Sequence, residues 1–410
     1  MSLNKKHNKI MLTSLAIIIC GVVVYYVTPL IFSNNLEYNI NEGVLNKKEE
    51  IKDIKIETNT KVENLIQSTP EESKLPVTHI NTPLNVRALY MSSWVAGSEN
   101  FRDSLIKIID DTELNAVVID IKDSTGRIGF HMDDEEIEKI GSSENRIKNI
   151  RELTSLLHSK NIYIIGRVSV FQDPYLTKLK PEWAITKISD GGVWKDRKGL
   201  SFLDPTNKEV HKYILNIALN SYQEGFDEIN FDYIRYPSDG NMKDINYKLK
   251  DGKTRADNIE EFFKYISQEI KKDNNIPISA DLFGLTTETA DDMGIGQVWE
   301  KAIPYFDFVC PMVYPSHYPS GYGGYKNPAS FPYEVINKAL LSAISKTKAI
   351  DQDISKIRPW LQDFDLGTTY TKDMVRAQMK AGYDNNINSW MLWDPSNKYT
   401  PSALLLETLN

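Results

Sequence analysis

The chain is poor in the residues that build metal centres and covalent scaffolds: its 410 residues hold two cysteines and six histidines. Cys20 lies in an apolar N-terminal run and Cys310 in a strand-like segment far along the chain, which excludes a disulfide framework. His7 and His79 precede the folded part and His158 and His211 fall on expected helices, so only His131 and His317 could reach a cleft. No metal site and no cofactor are expected from so scattered a set of ligands. Positive charge is also short. The formal net charge is −8, so no global field is available to attract nucleic acid or anionic lipid. A glycine-rich phosphate loop after the first strand is missing as well, which argues against a doubly wound, nucleotide-binding sheet.

What is present begins with one long apolar stretch. Residues 10–32 run without a charge behind Lys5, Lys6 and Lys9, and that length matches a bilayer span of roughly 20 residues. A cleaved signal peptide is the rival reading, but no A-x-A pattern of small residues follows the run, so an uncleaved single-pass anchor is expected. The lysines put residues 1–9 in the cytoplasm and everything after the span outside. Residues 33–85 are polar and charged, with little aromatic content, and read as a flexible stem to which no chemistry is assigned.

From residue 86 to the end, apolar strand-like runs alternate with longer amphipathic stretches, the pattern of repeated βα units. Eight strands are predicted: Arg87–Ser92, Ala116–Ile121, Tyr163–Val170, Glu228–Tyr233, Ile278–Phe283, Phe308–Tyr314, Arg358–Gln362 and Ser389–Trp393. Helices are predicted between them, among others over Phe101–Thr112, Ile147–Ser159, Asn207–Glu224, Ala256–Lys272, Tyr333–Ser345 and Lys372–Ala381. Eight units over such a length fit an α/β fold of the (β/α)8 TIM-barrel class. Long loops over 172–205, 237–254 and 315–332 follow the third, fourth and sixth strands, on the face where barrel active sites are built.

Alternation along a barrel strand tells which polar residues look inward. In the fourth strand Ile229, Phe231 and Tyr233 form the set expected to face the helices, leaving Glu228, Asn230 and Asp232 inside. In the fifth, Ile278, Ala280 and Leu282 face out, leaving Ser279 and Asp281 inside. An unpaired carboxylate in such a place costs several kcal/mol, so these acids are either catalytic or members of structural ion pairs, Asp232 with Arg235 or Arg167. Asp232 with Asp281 on the next strand would suit a retaining glycosidase, and Asp232 with Asp120, two strands away, an inverting one. Lys122, Arg167, Asn230, Arg235, Tyr236, Tyr314, Trp360, Gln362 and Trp393 are the candidate substrate contacts, with Asp363 a further polar group at a strand end. Trp94, Trp360, Trp390 and Trp393 fall at or near strand ends, where flat rings suit sugar faces and equally suit an ordinary core.

The segment GFDEINFDYIRYP, residues 225–237, with FLDPTNKEVHKYILNIALN before it, resembles the putative glycoside hydrolase domain family, once catalogued as a domain of unknown function. RALYMSSW at the first strand, VVIDIKDSTG at the second and SWMLWDP at the eighth extend that resemblance from about Val86 to the C-terminus. The resemblance implies a TIM barrel, a carbohydrate substrate and Asp232 as the catalytic aspartate. A looser similarity is to chitinase-like barrels, whose fourth strand carries DxxDxDxE. Here Asp227, Asn230 and Asp232 hold the first three acidic positions and Ile234 stands where the glutamate would be, so chitinase chemistry is not expected. The reading that results is a glycosidase acting on a cell-wall or extracellular polysaccharide. The alternative is a barrel that keeps a sugar cleft and only binds.

Overall fold

The structure, a computed structural model, describes residues 75–406 apart from 251 and 274. The expected cytoplasmic tail, membrane span and most of the stem lie outside the described residues. Among the described residues no helix is long and apolar enough to cross a membrane.

Eight parallel strands close into a barrel. They are β1 Arg87–Met91, β2 Ala116–Lys122, β3 Tyr163–Ser169, β4 Glu228–Asp232, β5 Ile278–Phe283, β6 Phe308–Met312, β7 Trp360–Gln362 and β8 Trp390–Trp393. Each pairs with its sequence neighbours and β8 returns to β1, with Ala88 opposite Met391. The helices outside are α1 Glu99–Asp111, α2 Ile150–Ser159, α3 Lys208–Gln223, α4 Arg255–Asp273, α5 Trp299–Ala302, α6 Pro332–Ala349 and α7 Lys372–Asp384. The fifth connection thus carries a single helical turn where the others carry whole helices.

Local chemistry sets the helix starts. The expected helix from Ile147 begins only at Ile150, because the side chain of Asn149 accepts from the backbone N–H of Glu152 at 3.2 Å and stops the turn there. Asn207 caps α3 in the same way through the N–H of Glu209 at 2.9 Å. The strands' outward residues bury against these helices: Phe231 meets Phe262 and Phe306 with ring centroids 6.4 and 6.3 Å away. Fully burying a side chain of that size stabilises by about 1.5–3 kcal/mol.

The barrel interior is a second, separate core of Ala88, Val118, Tyr163, Ile165, Cys310 and Met391 among others. Its floor is ionic. Glu228 and Arg358, both fully buried, pair at 2.8 Å, and Glu228 also accepts from Ser279 Oγ at 2.6 Å and Tyr163 OH at 3.1 Å. Just below, Thr82 Oγ1 lies 2.9 Å from Tyr163 OH, the Ile80 N–H donates to Asp227 at 2.7 Å, and His79 stacks on Tyr222 at 3.9 Å. The last residues of the stretch read as a stem therefore form part of the floor. Asp227, bound also to His158 at 3.0 Å, is a floor residue and faces away from the mouth.

At the mouth the first two long loops are tied by an antiparallel ribbon of Thr186–Lys187 with Ile245–Asn246. Trp194 fastens them through its Nε1–H to the Asn241 carbonyl at 3.0 Å. The third folds into 3-10 turns at Pro315–His317, Tyr322–Gly324 and Pro328–Ser330.

Because both members of the floor pair are fully buried, Arg358→Met leaves Glu228 without its counter-charge. Urea unfolding should register a loss of about 3–5 kcal/mol, and Glu228→Gln added to it should recover most of that loss. Equal damage in the single and double variants would show that the pair is not what holds the floor.

Candidate active site

Strand register gathers three acids near the mouth. Asp120 pairs with Arg167 across β2 and β3, Ser169 with Asp232 across β3 and β4, and Phe231 with Ala280 across β4 and β5, which leaves Asp232 beside Asp281. Arg167 stands among them. Its Nη2 and Nε donate to Asp232 Oδ2 at 2.5 and 3.1 Å, and its Nη1 donates to Asp120 Oδ1 at 2.6 Å. Tyr90 OH donates to the other oxygen of Asp120 at 2.6 Å, and the Tyr233 N–H to the other oxygen of Asp232 at 2.6 Å.

Asp281 is held differently. Its Oδ1 accepts from Trp360 Nε1 at 2.8 Å and Asn230 Nδ2 at 2.9 Å, while Oδ2 lies 3.9 Å from Arg167 Nε. That nitrogen touches Asp232 at 3.1 Å, so the nearest oxygens of the two acids are at most about 7 Å apart, the sum of the two distances. Burial, and after it the charge of Asp232, hold the Asp281 carboxyl well above the usual carboxylate range. Burial also raises Asp120, with Arg167 and Tyr90 acting in opposition.

These groups open into a cleft of about 350 Å³, a size suited to a small ligand. Of the expected site residues, Asp232, Asp281, Arg167, Arg235, Tyr314, Trp360 and Trp393 line it. Asp120 stands behind Arg167, and Asn230 behind Asp281, where it also reaches Ser279 at 3.0 Å.

Lys122 is a correction. A register shift between Asp120 and Lys122 breaks the alternation of β2, and the lysine turns away from the mouth to pair with buried Asp173 at 2.9 Å and with the Ser169 carbonyl at 2.7 Å. Tyr236 is another, its hydroxyl accepting from Asn258 at 3.0 Å and its ring against Tyr247. Gln362 instead braces the third loop, accepting from the Ser316 N–H at 3.1 Å and donating to the Phe364 carbonyl at 2.8 Å. Asp363 ties down the C-terminal segment through Thr400. Trp94 is exposed over Arg146, and Trp390 points to α7 through Tyr383.

Tyr233 runs the other way: expected against the helices, it lines the cleft. Its φ of 52° ends the extended backbone one residue after Asp232 and breaks the alternation there. Phe283, Gly284, Leu285, Met312, His317 and Tyr318 complete the wall. No strand pattern could have found the loop members, although His317 was one of two histidines with a path to a cleft. Burial lowers the pKa of His317.

The raised Asp281 carboxyl has a thermodynamic consequence. Below about pH 4 it is protonated in folded and unfolded chains alike; above that the unfolded state ionises first, and the folded state loses stability up to the folded pKa. Asp281→Asn, which keeps an acceptor for Trp360 and Asn230, removes that loss. The variant should match the parent at low pH and become more stable by about 1.4 kcal/mol per pH unit above it, as followed by chemical denaturation. A pH-independent difference would contradict the assignment.

Comparison with known proteins bears on the fold and the family. A protein of unassigned function from Ruminiclostridium thermocellum is 33% identical over 50% of this chain and 98% of its own, with a TM-score of 0.43. The glycoside hydrolase domain of PgaB (BpsB) from Bordetella bronchiseptica has the same fold, with a TM-score of 0.58 and 12% identity over 80% of this chain and 100% of its own. No curated protein sequence matches the chain. The family model described as "Putative glycosyl hydrolase domain" matches residues 88–399, the whole ring of strands but its first residue, and this chain belongs to that family.

Proposed function

We propose that the chain is a retaining glycosidase in which Asp232 is the nucleophile and Asp281 the general acid. The observation that carries this reading is the contrast between the two acids. One is gripped by an arginine that balances its charge, and the other sits within about 7 Å with its carboxyl pushed well above the usual carboxylate range by burial. Asp281 would give its Oδ2 proton to the departing glycosidic oxygen while Asp232 attacks the anomeric carbon. Water, deprotonated by the same Asp281, would then release the sugar with its configuration kept. Trp360 and Trp393, with ring centroids 5.5 Å apart and perpendicular, offer apolar faces for the ring being cleaved. Asp120 is a positioning residue acting through Arg167.

The substrate in this reading is a cell-wall or extracellular polysaccharide, met outside the membrane by a barrel anchored through residues 10–32. That location rests on the apolar run and the lysines before it. A second reading, a barrel that binds glycans without cleaving them, draws on the same ion pair: both Arg167 bonds fall on one Asp232 oxygen and the Tyr233 N–H on the other, so no lone oxygen is left unengaged.

Kinetics separate the two. Asp232→Asn should lower reducing-end release by about 10³-fold or more, and Asp281→Asn by about 10²–10⁴-fold on an oligosaccharide. With a dinitrophenyl glycoside, whose leaving group needs no proton, Asp281→Asn should retain bond cleavage and show none of the fall in rate that the parent shows on an oligosaccharide as pH rises through the Asp281 pKa. Proton NMR of the first product should show the anomer of the substrate. Turnover at the parent rate in Asp232→Asn, or glycan binding with no product from the parent, would end the glycosidase reading; the opposite anomer would end the retaining one.

A further inference from the structure

The chain has eleven arginines, all among the described residues. Ten of them have a carboxylate oxygen within 3.2 Å, including the three others with buried side chains: Arg146 with Asp123, Arg167 with Asp120 and Asp232, and Arg358 with Glu228. Arg235 is the exception. It is 8% exposed and lines the cleft, yet no carboxylate among the described residues comes to ion-pairing distance. A buried guanidinium without a counter-charge is costly, and nothing in the floor or the helix layer requires one here.

Its hydrogen bonds leave one edge of the head free. Nη1 is spent on the Tyr236 carbonyl at 3.0 Å and on Ser238 Oγ at 3.3 Å, which fix the plane of the group. Nε and Nη2 have no acceptor among the described residues. The guanidinium carbon lies 4.7 Å from the centre of the Phe283 ring and 5.2 Å from that of Tyr233, both cleft residues, so the head rests against two aromatic rings with one edge bare. That edge, two parallel N–H groups, is the one that takes a carboxylate in bidentate fashion. The carboxylate of Asp232 in the same cleft is already balanced by Arg167, which leaves the positive charge of Arg235 uncancelled at contact distance.

We infer that the Nε–Nη2 edge of Arg235 is a subsite for an anionic substituent, so that the glycan taken by this cleft is an acidic one bearing a carboxylate or phosphate group on the sugar bound beside Asp232. This rests on reading the cleft as a glycan site and names the class of sugar it selects. A neutral glycan would leave the bare edge facing only water, and a cationic one would meet a like charge.

Binding tests this without turnover. Glucuronic acid, glucose 6-phosphate and glucose are titrated calorimetrically into the full chain, into Arg235→Gln and into Arg235→Lys, with thermal unfolding checking that each variant is folded. At least one acid should bind the parent about tenfold more tightly than glucose, as one bidentate charged contact supplies. Arg235→Gln should erase the difference, and Arg235→Lys, which keeps the charge and loses the fork, should retain only part of it. Should Arg235→Gln not fold, the partial loss in Arg235→Lys carries the test. Equal affinity of the parent for all three sugars, or a preference that survives in Arg235→Gln, overturns the inference. A preference for acids in a protein that cleaves nothing supports it and refutes the glycosidase reading alone.

Discussion

One arginine serves three aspartates at the barrel mouth, and the chemistry of the cleft follows from that imbalance. Arg167 bonds directly to Asp120 and Asp232 and stands 3.9 Å from Asp281. In a region shielded from water a third negative charge has no partner, and removing an ion from water costs several kcal/mol. Ionisation is disfavoured most strongly at the group furthest from the cation, Asp281, even though two N–H donors on one of its oxygens act against that shift. Acids of the same type thereby meet different surroundings through position alone.

The rest of the interior insulates that arrangement. The Glu228–Arg358 pair satisfies its own charges at the floor, and Ala88, Val118, Ile165, Cys310 and Met391 fill the space between. Polar groups of floor and mouth meet through Ser279 and Asn230, a short hydrogen-bonded ladder from Glu228 to Asp281. Such a ladder orients Asn230 and, through it, the Asp281 carboxyl, so the floor contributes to the geometry of the cleft as well as to stability. Tyr90 belongs to the same framework: it donates to Asp120 and stacks on Trp393 at 4.0 Å, joining the acid cluster to the aromatic wall.

Much of this was readable from the chain. The two-residue period separates inward from outward residues wherever a strand is regular, and Glu228, Asn230, Asp232, Ser279 and Asp281 all face as that period dictates. The same rule fails where the backbone departs from a regular strand. At Lys122 a register shift rotates the side chain away from the mouth, and at Tyr233 a left-handed φ turns the ring into it. Neither residue type advertises such a departure: lysine is common at strand ends, and a bulky tyrosine is an uncommon occupant of positive φ. Loop residues such as Tyr318 and Leu285 carry no period at all, and only the folded loops after β6 and β5 bring them to the wall.

The amino-acid sequence by itself determined the number of strands, their order around the ring and the set of acids turned inward, because each depends on local patterning repeated along the chain. Which cation meets which acid was decided only by the tertiary structure. Asp232 had two candidate arginines within its neighbourhood in sequence or strand order, and the fold gave it Arg167, which reaches it from opposite Asn230, while leaving Arg235 alone. Pairing depends on height and direction across strands, to within an ångström, and one-dimensional spacing carries neither.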